Sequence, residues 1–128
     1  MKTEIALLVG AVALAIIQVV ITAVGAMLQV GLPMLAGNRD NMPDILGWAG
    51  RAGRAHRNML ESLVLFAALV LSAQAIGVSN AMTVLGAQLF LWGRVAYAVL
   101  YIAGVPWART GAWAVAVLGM LLILVQFA

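Results

Sequence analysis

Five residues that could bind a charged ligand lie close together where an apolar stretch begins. They are Arg51, Arg54, Arg57, Asn58 and Glu61. The residues that follow, 62–76, are almost all apolar, which places the cluster at the start of a membrane helix and partly within the bilayer. Ionisable groups at membrane depth are costly, and they are retained for a function or for a paired structural role. Arginine in excess of acid would suit an anionic ligand, because a guanidinium group can form two parallel hydrogen bonds with a carboxylate.

A second polar face is predicted on the next apolar segment. Arg94, Tyr97 and Tyr101 recur at helical spacing, and at about 100° per residue they fall within about 80° of arc. The first cluster falls within about 120° on its own helix. His56 points to roughly the opposite side of that helix, and with no second histidine in the chain we interpret it as structural.

The connection between these two segments is short, so their residues can be matched by depth. In an antiparallel hairpin that turns near positions 78 and 79, residues whose numbers have a constant sum lie level with each other. The pairs predicted to be level are Glu61 with Arg94, Asn58 with Tyr97, and Arg54 with Tyr101. We interpret Glu61 and Arg94 as a paired structural charge, since a lone ion that deep would be costly. The remaining arginines, including Arg109, leave an excess of positive charge around the two tyrosines.

Composition identifies the surroundings of these clusters. The chain has 128 residues, of which 66% are apolar and 9% charged, and its mean hydropathy is +1.12; these values are typical of an integral membrane protein. The chain has no cysteine, so any thiol chemistry requires a thiol from the ligand, and no metal site is predicted. The net charge of +3 is better explained by membrane topology than by a nucleic-acid partner, because the arginines lie in apolar helices.

Four apolar segments predict an all-α fold, an integral membrane four-helix bundle with up-down-up-down topology. The helices are expected at 5–35, 49–76, 81–103 and 106–127, within a single domain spanning residues 1–128. Lys and Arg are concentrated around the first and third connections and are missing from the second connection and the C-terminus. This asymmetry predicts that both termini lie on the non-cytoplasmic side and that the arginine cluster lies on the cytoplasmic side.

Simpler interpretations of the same residues remain open. Arg51, Arg54 and Arg57 could be the basic anchors that flank the cytoplasmic end of a membrane helix. Tyr97 and Tyr101 could belong to an aromatic belt at the membrane interface. The sequence pattern alone does not separate these interpretations from a ligand site.

The two clusters together resemble the motifs of the MAPEG family, the membrane-associated proteins in eicosanoid and glutathione metabolism. Residues 54–58 with Glu61, preceded by Arg51, look like the second-helix signature of that family. The third-helix residues Arg94, Tyr97 and Tyr101, followed by Arg109 after a proline, resemble its third-helix motif and the arginine beyond it. The resemblance covers the whole four-helix chain and is that of a bacterial-type member.

The resemblance implies a homotrimer, in a bacterial inner membrane, that binds glutathione between neighbouring subunits near the cytoplasmic side. The residues implied to bind glutathione are Arg51, Arg54, Arg57, Asn58, Glu61, Arg94, Tyr97 and Tyr101, while Arg109 is implied to stabilise the glutathione thiolate.

The function that follows is that of a microsomal-type glutathione S-transferase. Such a protein would be a glutathione-dependent membrane transferase or peroxidase acting on apolar electrophiles or lipid hydroperoxides, and its apolar small-molecule co-substrate would arrive through the lipid bilayer. The alternative is a non-catalytic membrane binding or interaction module on the same scaffold. This chain also departs from the family pattern, because active members commonly place an arginine in the first helix, where Gln29 and Val30 stand here.

Overall fold

A computed structural model describes residues 2–128 and shows an all-helical chain. Its elements are α1 (Thr3–Val30), α2 (Leu32–Ala36), α3 (Gly47–Ile76), α4 (Ala81–Ala103) and α5 (Pro106–Leu124), followed by a single 3-10 turn (Val125–Phe127). Four of these helices, α1, α3, α4 and α5 with its 3-10 extension, are long and apolar enough to cross a membrane. The predicted four-helix membrane bundle is therefore confirmed.

The first predicted helix is divided in two. Gly31 has φ 84° and ψ 156°, a backbone conformation that favours glycine, and it ends α1. Pro33 then lies in the first turn of the short helix α2, where its missing N–H costs nothing. The prediction of one continuous helix over 5–35 is wrong for this reason.

A tight connection holds α3 and α4 antiparallel. Gly77 ends α3 in the left-handed region with φ 75°, and the Asn80 side chain accepts hydrogen bonds from the backbone N–H groups of Met82 and Thr83 at the start of α4. Deeper in the bundle the rings of Phe66 and Phe90 stack with centroids 4.0 Å apart. That contact lies close to the depth register predicted from the sequence, so residues on the two helices face each other at the expected levels.

Helices α4 and α5 approach closely because their contact is built from small residues. Gly93 packs directly against the backbone of Ala112 and Ala116, and Gly86 and Gly119 contact each other's backbone farther along the same interface. Gly104, at φ 83°, and the following Pro106 turn the chain from α4 into α5. This tight crossing keeps the first turn of α5 beside the last turn of α4, where several of the candidate site residues lie.

At the end of the bundle opposite the α4–α5 turn, the side chain of Glu4 links α1 to other elements. Its carboxylate accepts hydrogen bonds from the hydroxyl groups of Ser79, at 2.6 Å, and Thr83, at 2.9 Å. These contacts join the first turn of α1 to the connection between α3 and α4. Between the two ends, the core is filled by buried side chains that include Met59, Phe66, Phe90 and Ile123.

Candidate functional site

The ring of Tyr101 lies near two arginines that come from different helices. Cζ of Arg109, in the first turn of α5, lies 4.1 Å from the ring centroid, and Cζ of Arg54, on α3, lies 6.0 Å from it. Tyr97 packs edge-on against the same ring with centroids 5.5 Å apart. Three helices thus bring two guanidinium groups and a phenol together at the arginine-bearing end of the bundle. Such a cluster can bind an anion and can stabilise negative charge that develops beside it.

Arg94 lies deeper on α4 and is almost completely buried, with 1% of its surface exposed. Its Nη1 donates a hydrogen bond to Oδ1 of Asn58, at 2.9 Å, and its Cζ lies 4.1 Å from the ring centroid of Tyr97. Nε and Nη2 have no hydrogen-bond partner among the described residues. The cation is therefore held by an amide oxygen and an aromatic face rather than by a carboxylate.

The predicted ion pair between Glu61 and Arg94 does not form within the subunit. Glu61 is exposed, whereas Asn58, one turn away, is partly buried and takes the hydrogen bond from Arg94. The predicted depth of the two residues agrees with the structure, but a long arginine side chain can reach a neighbouring turn. Within the subunit the predicted pair is therefore absent, because depth alone does not determine which acceptor the guanidinium reaches.

Arg51 has a structural partner. Its Nε donates a hydrogen bond to the backbone carbonyl of Ile102, at 3.0 Å. That carbonyl belongs to the last turn of α4, where backbone acceptors have no partner within the helix. Arg51 consequently ties the start of α3 to the end of α4.

A cavity of about 460 Å³ adjoins the arginines on the side of α3 that faces α1. Arg54 and Arg57 line it together with Asp44 from the α2–α3 loop and Thr22 from α1. Thr22 Oγ1 is buried without a hydrogen-bond partner. Because Arg54 also lies near Tyr101, this one side chain connects the cavity to the arginine and tyrosine cluster.

The loop that forms one wall of the cavity is held in place by Gln29. The side-chain Nε2 donates to the carbonyl of Leu46 at 2.7 Å, and Oε1 accepts from the N–H of Leu46 at 2.8 Å. In the sequence, Gln29 stands out only because it replaces an arginine. A polar amide near the end of a mostly apolar helix is the available signal, but its partner lies seventeen residues away in a loop.

A comparison with protein families decides what kind of chain carries this site. The family model for the MAPEG family matches residues 4–128. The chain belongs to the MAPEG family. Neither the curated proteins nor the solved structures give a significant match. MAPEG proteins include glutathione transferases and peroxidases, they generally use glutathione, and they are often trimers.

Two further residues of this MAPEG protein lie outside the cluster. Arg39 has φ 62° and donates from Nε to the carbonyl of Leu35 at 2.8 Å. It lines a separate, mostly apolar groove beside α2, so within the subunit it does not join Arg54 and Arg57. His56 is partly buried, and its Nδ1 has no hydrogen-bond partner. Within residues 2–128 no group of three or more His, Cys, Asp or Glu side chains could hold a metal ion.

Proposed function

We propose that this MAPEG protein is a glutathione-dependent membrane transferase or peroxidase acting on apolar electrophiles or lipid hydroperoxides. The observation that carries the proposal is that the guanidinium groups of both Arg54 and Arg109 lie close to the Tyr101 ring. Two cations beside a tyrosine suit a ligand that combines carboxylates with an acidic thiol, and glutathione is such a ligand. Membership of a family whose members generally use glutathione supports the same ligand.

Binding is assigned to two exposed arginines that donate no hydrogen bond to another of the described residues. Arg54 and Arg57 are exposed, and within residues 2–128 no carboxylate lies within 4.0 Å of either guanidinium group. They hold the glutathione carboxylates, with help from the Tyr101 hydroxyl and from the amide nitrogen of Asn58. Arg51 and Arg94 act mainly as positioning residues, because each already makes a contact that fixes the helices.

Arg109 is the proposed catalytic residue. A cation beside a thiol lowers its pKa and favours the thiolate, which is the nucleophile. In the transferase reaction the thiol proton leaves to solvent, the sulfur forms a bond to the electrophilic carbon, and the leaving group departs with its electron pair. In the peroxidase reaction the sulfur takes one oxygen of the hydroperoxide and an alcohol is released. A second glutathione then reduces the resulting sulfenic acid, giving the disulfide and water.

The site is completed by assembly as a homotrimer. Arg54, Arg57 and Glu61 are exposed on one side of α3, and in a single subunit that polar side would face lipid. Charged side chains are costly in contact with hydrocarbon. A neighbouring subunit that covers this side removes the cost, encloses the ligand, and leaves Glu61 available to it.

The proposed orientation places the site near the cytoplasmic surface and both termini on the other side of the membrane, with the bacterial inner membrane as the location. Arginine bias among the connections supports this orientation. Glutathione then enters from the aqueous side, while an apolar co-substrate reaches the sulfur from the bilayer.

A non-catalytic binding module is the second candidate, and one observation favours it. Both polar atoms of Gln29 are used to hold Leu46, so the position at which active relatives commonly carry an arginine offers no cation here. A module of this kind would bind glutathione without forming the thiolate.

Equilibrium titration of the purified protein with glutathione tests the proposal. Arg57→Ala is expected to weaken binding by about 1.5 to 3 kcal/mol, the usual contribution of a hydrogen bond to a charged group. Arg39→Ala is the matched control, since that arginine is also exposed but lines the other groove, and it should bind as the wild type does. Wild-type protein that shows no saturable binding at millimolar glutathione would refute the proposed function.

A further inference from the structure

Helices α1 and α3 enclose a group of polar atoms that have no partner within the fold. Gln18, on α1, is 3% exposed, and neither Oε1 nor Nε2 of its side chain has a hydrogen-bond partner among residues 2–128. The same is true of Oγ1 of Thr22 and Nδ1 of His56. All four atoms are closed to solvent, so the cavity beside Arg54 does not serve them. Buried polar groups without partners are costly and rare, so these atoms need an explanation.

Packing contacts between α1 and α3 place these atoms at one interface. Gly25 of α1 packs against Ala49 of α3, and one turn farther along, the methyl group of Thr22 lies beside Gly53. These contacts show that the two helices run antiparallel, so one further turn along each brings Gln18 level with His56. On each helix the three contacting residues share a face through the spacing i, i+4, i+7. The facing sets are Gln18, Thr22 and Gly25 on α1 and Ala49, Gly53 and His56 on α3.

The side chains of Gln18, Thr22 and His56 do not hydrogen-bond to one another, although they lie at the same interface. Gln18 offers a donor and an acceptor, the Thr22 hydroxyl can do either, and Nδ1 of a neutral His56 does one or the other according to its tautomer. A water molecule both donates and accepts, and buried waters usually make about three hydrogen bonds to otherwise unpartnered polar groups. One water molecule can therefore join these three side chains, which are too far apart to bond directly.

We propose that a buried water molecule bridges Gln18, Thr22 and His56 and joins α1 to α3 within the membrane. Hydrocarbon cannot hydrogen-bond to polar groups at this depth, so they must be satisfied inside the protein. The site is separate from the ligand cavity and needs no glutathione, so it goes beyond the proposed function. It also gives a role to His56, which the arginine and tyrosine cluster does not use.

Magnetisation transfer from water to the side-chain amide of Gln18 tests for this molecule directly. The full-length protein, labelled with 15N at glutamine and placed in phosphatidylcholine vesicles without glutathione, is studied by solid-state NMR. Rapid transfer to the Gln18 amide protons is expected, although that amide is closed to bulk solvent. The signal should disappear in Gln18→Met, which assigns it, and it should weaken in Thr22→Val and in His56→Leu.

Thermal unfolding in detergent provides a second measurement. Gln18→Met keeps the length of the side chain but cannot bind water, and it should lower the unfolding temperature by about 3 to 6 °C. His56→Leu should also lower it, and the double variant should lose less than the sum, because both residues hold the same water. Gln88→Met is the matched control, since Gln88 is exposed on α4, and it should change the unfolding temperature little.

Each contrary result has a clear meaning. A higher unfolding temperature in Gln18→Met would show that the amide is simply unpartnered, since removing such a group is neutral or stabilising, and it would refute the water site. A loss of stability without transfer from water would show a direct bond between side chains and would refute the site as well. The wild-type NMR experiment decides the matter even if Gln18→Met does not fold. None of these results bears on glutathione binding, so the proposed function stands or fails separately.

Discussion

Arg94 donates a 2.9 Å hydrogen bond from Nη1 to Oδ1 of Asn58, and this bond joins α4 to α3 in the interior of the bundle. The guanidinium also lies over the ring of Tyr97, which in turn packs against Tyr101. A continuous series of contacts therefore runs from the buried cation to the cluster that we assign to glutathione. Changes at Asn58 or Arg94 should affect the stability of the bundle first and the ligand site through it.

The first prediction concerns this bond. Asn58→Leu leaves the Arg94 cation buried without its acceptor and should lower the free energy of unfolding by about 1.5 to 3 kcal/mol, as for a lost hydrogen bond to a charged group. Arg94→Met removes the cation itself and should cost less. The double variant should lose less than the sum of the two, since the residues are in contact. Thermal unfolding in detergent measures all three.

Glu61→Gln, alone and combined with Arg94→Met, is the control for the comparison of Asn58→Leu with Arg94→Met. Glu61 is exposed and Arg94 bonds to Asn58 instead, so losses from Glu61→Gln and Arg94→Met should add. Strong coupling between Glu61 and Arg94 would mean that the two meet after all, and it would contradict the arrangement described here.

The second prediction concerns the α2–α3 loop. Gln29→Leu removes both hydrogen bonds to Leu46, each contributing about 0.5 to 1.5 kcal/mol. The loop should then open more readily, so backbone amides at 42–46 should exchange with deuterium faster and glutathione should bind more weakly. Gln88→Leu, at an exposed position on α4, is the matched control and should change neither property. Unchanged exchange in Gln29→Leu would show that the loop is held by other contacts.

Much of the fold could be predicted because particular residue types mark where a helix begins and where it ends. The bounds 81–103 for α4 agree with the structure, since Asn80 and Gly104 are strong start and stop signals. The break at Gly31 could not be predicted in the same way. A glycine followed two residues later by a proline is compatible with a helix that continues past the proline and with a helix that ends at the glycine. The backbone angles of Gly31 show that the helix ends there.

The candidate site was predictable in part for a related reason. Helical spacing and a short hairpin set the levels of Arg54 and Tyr101, which do meet. The same depth argument does not identify the partner of Arg94, because its long side chain can reach acceptors on adjacent turns. The cavity and the role of Gln29 depend on how an irregular loop folds back over α3, and no periodic pattern describes that.

The third prediction concerns topology. The chain has no cysteine, so single cysteines can be labelled in intact cells with an impermeant reagent. Suitable positions are Asn41, in the loop before α3, and Ala81, at the start of α4, because both are exposed; Ser79 is avoided since it donates to Glu4. Ala81→Cys should react and Asn41→Cys should not. The reverse pattern would overturn the orientation.

The fourth prediction concerns assembly. Native mass spectrometry in mild detergent should show three subunits of 13.4 kDa, because the exposed arginines of α3 need a covering neighbour. A variant that weakens glutathione binding without affecting the bundle, such as Arg57→Ala, should remain trimeric. Clean monomers across several detergents would remove the proposed intersubunit site.

The central claim is that Arg109 stabilises a glutathione thiolate beside Tyr101, and difference absorbance in the thiolate band tests it most directly. Adding glutathione to wild-type protein should produce the band and support conjugation of a model aryl halide. Arg109→Ala should bind glutathione with nearly unchanged affinity but show neither the band nor conjugation, while Arg39→Ala should match the wild type. A wild-type protein that binds glutathione without any thiolate signal, or an Arg109→Ala variant that retains the full signal, would contradict the account.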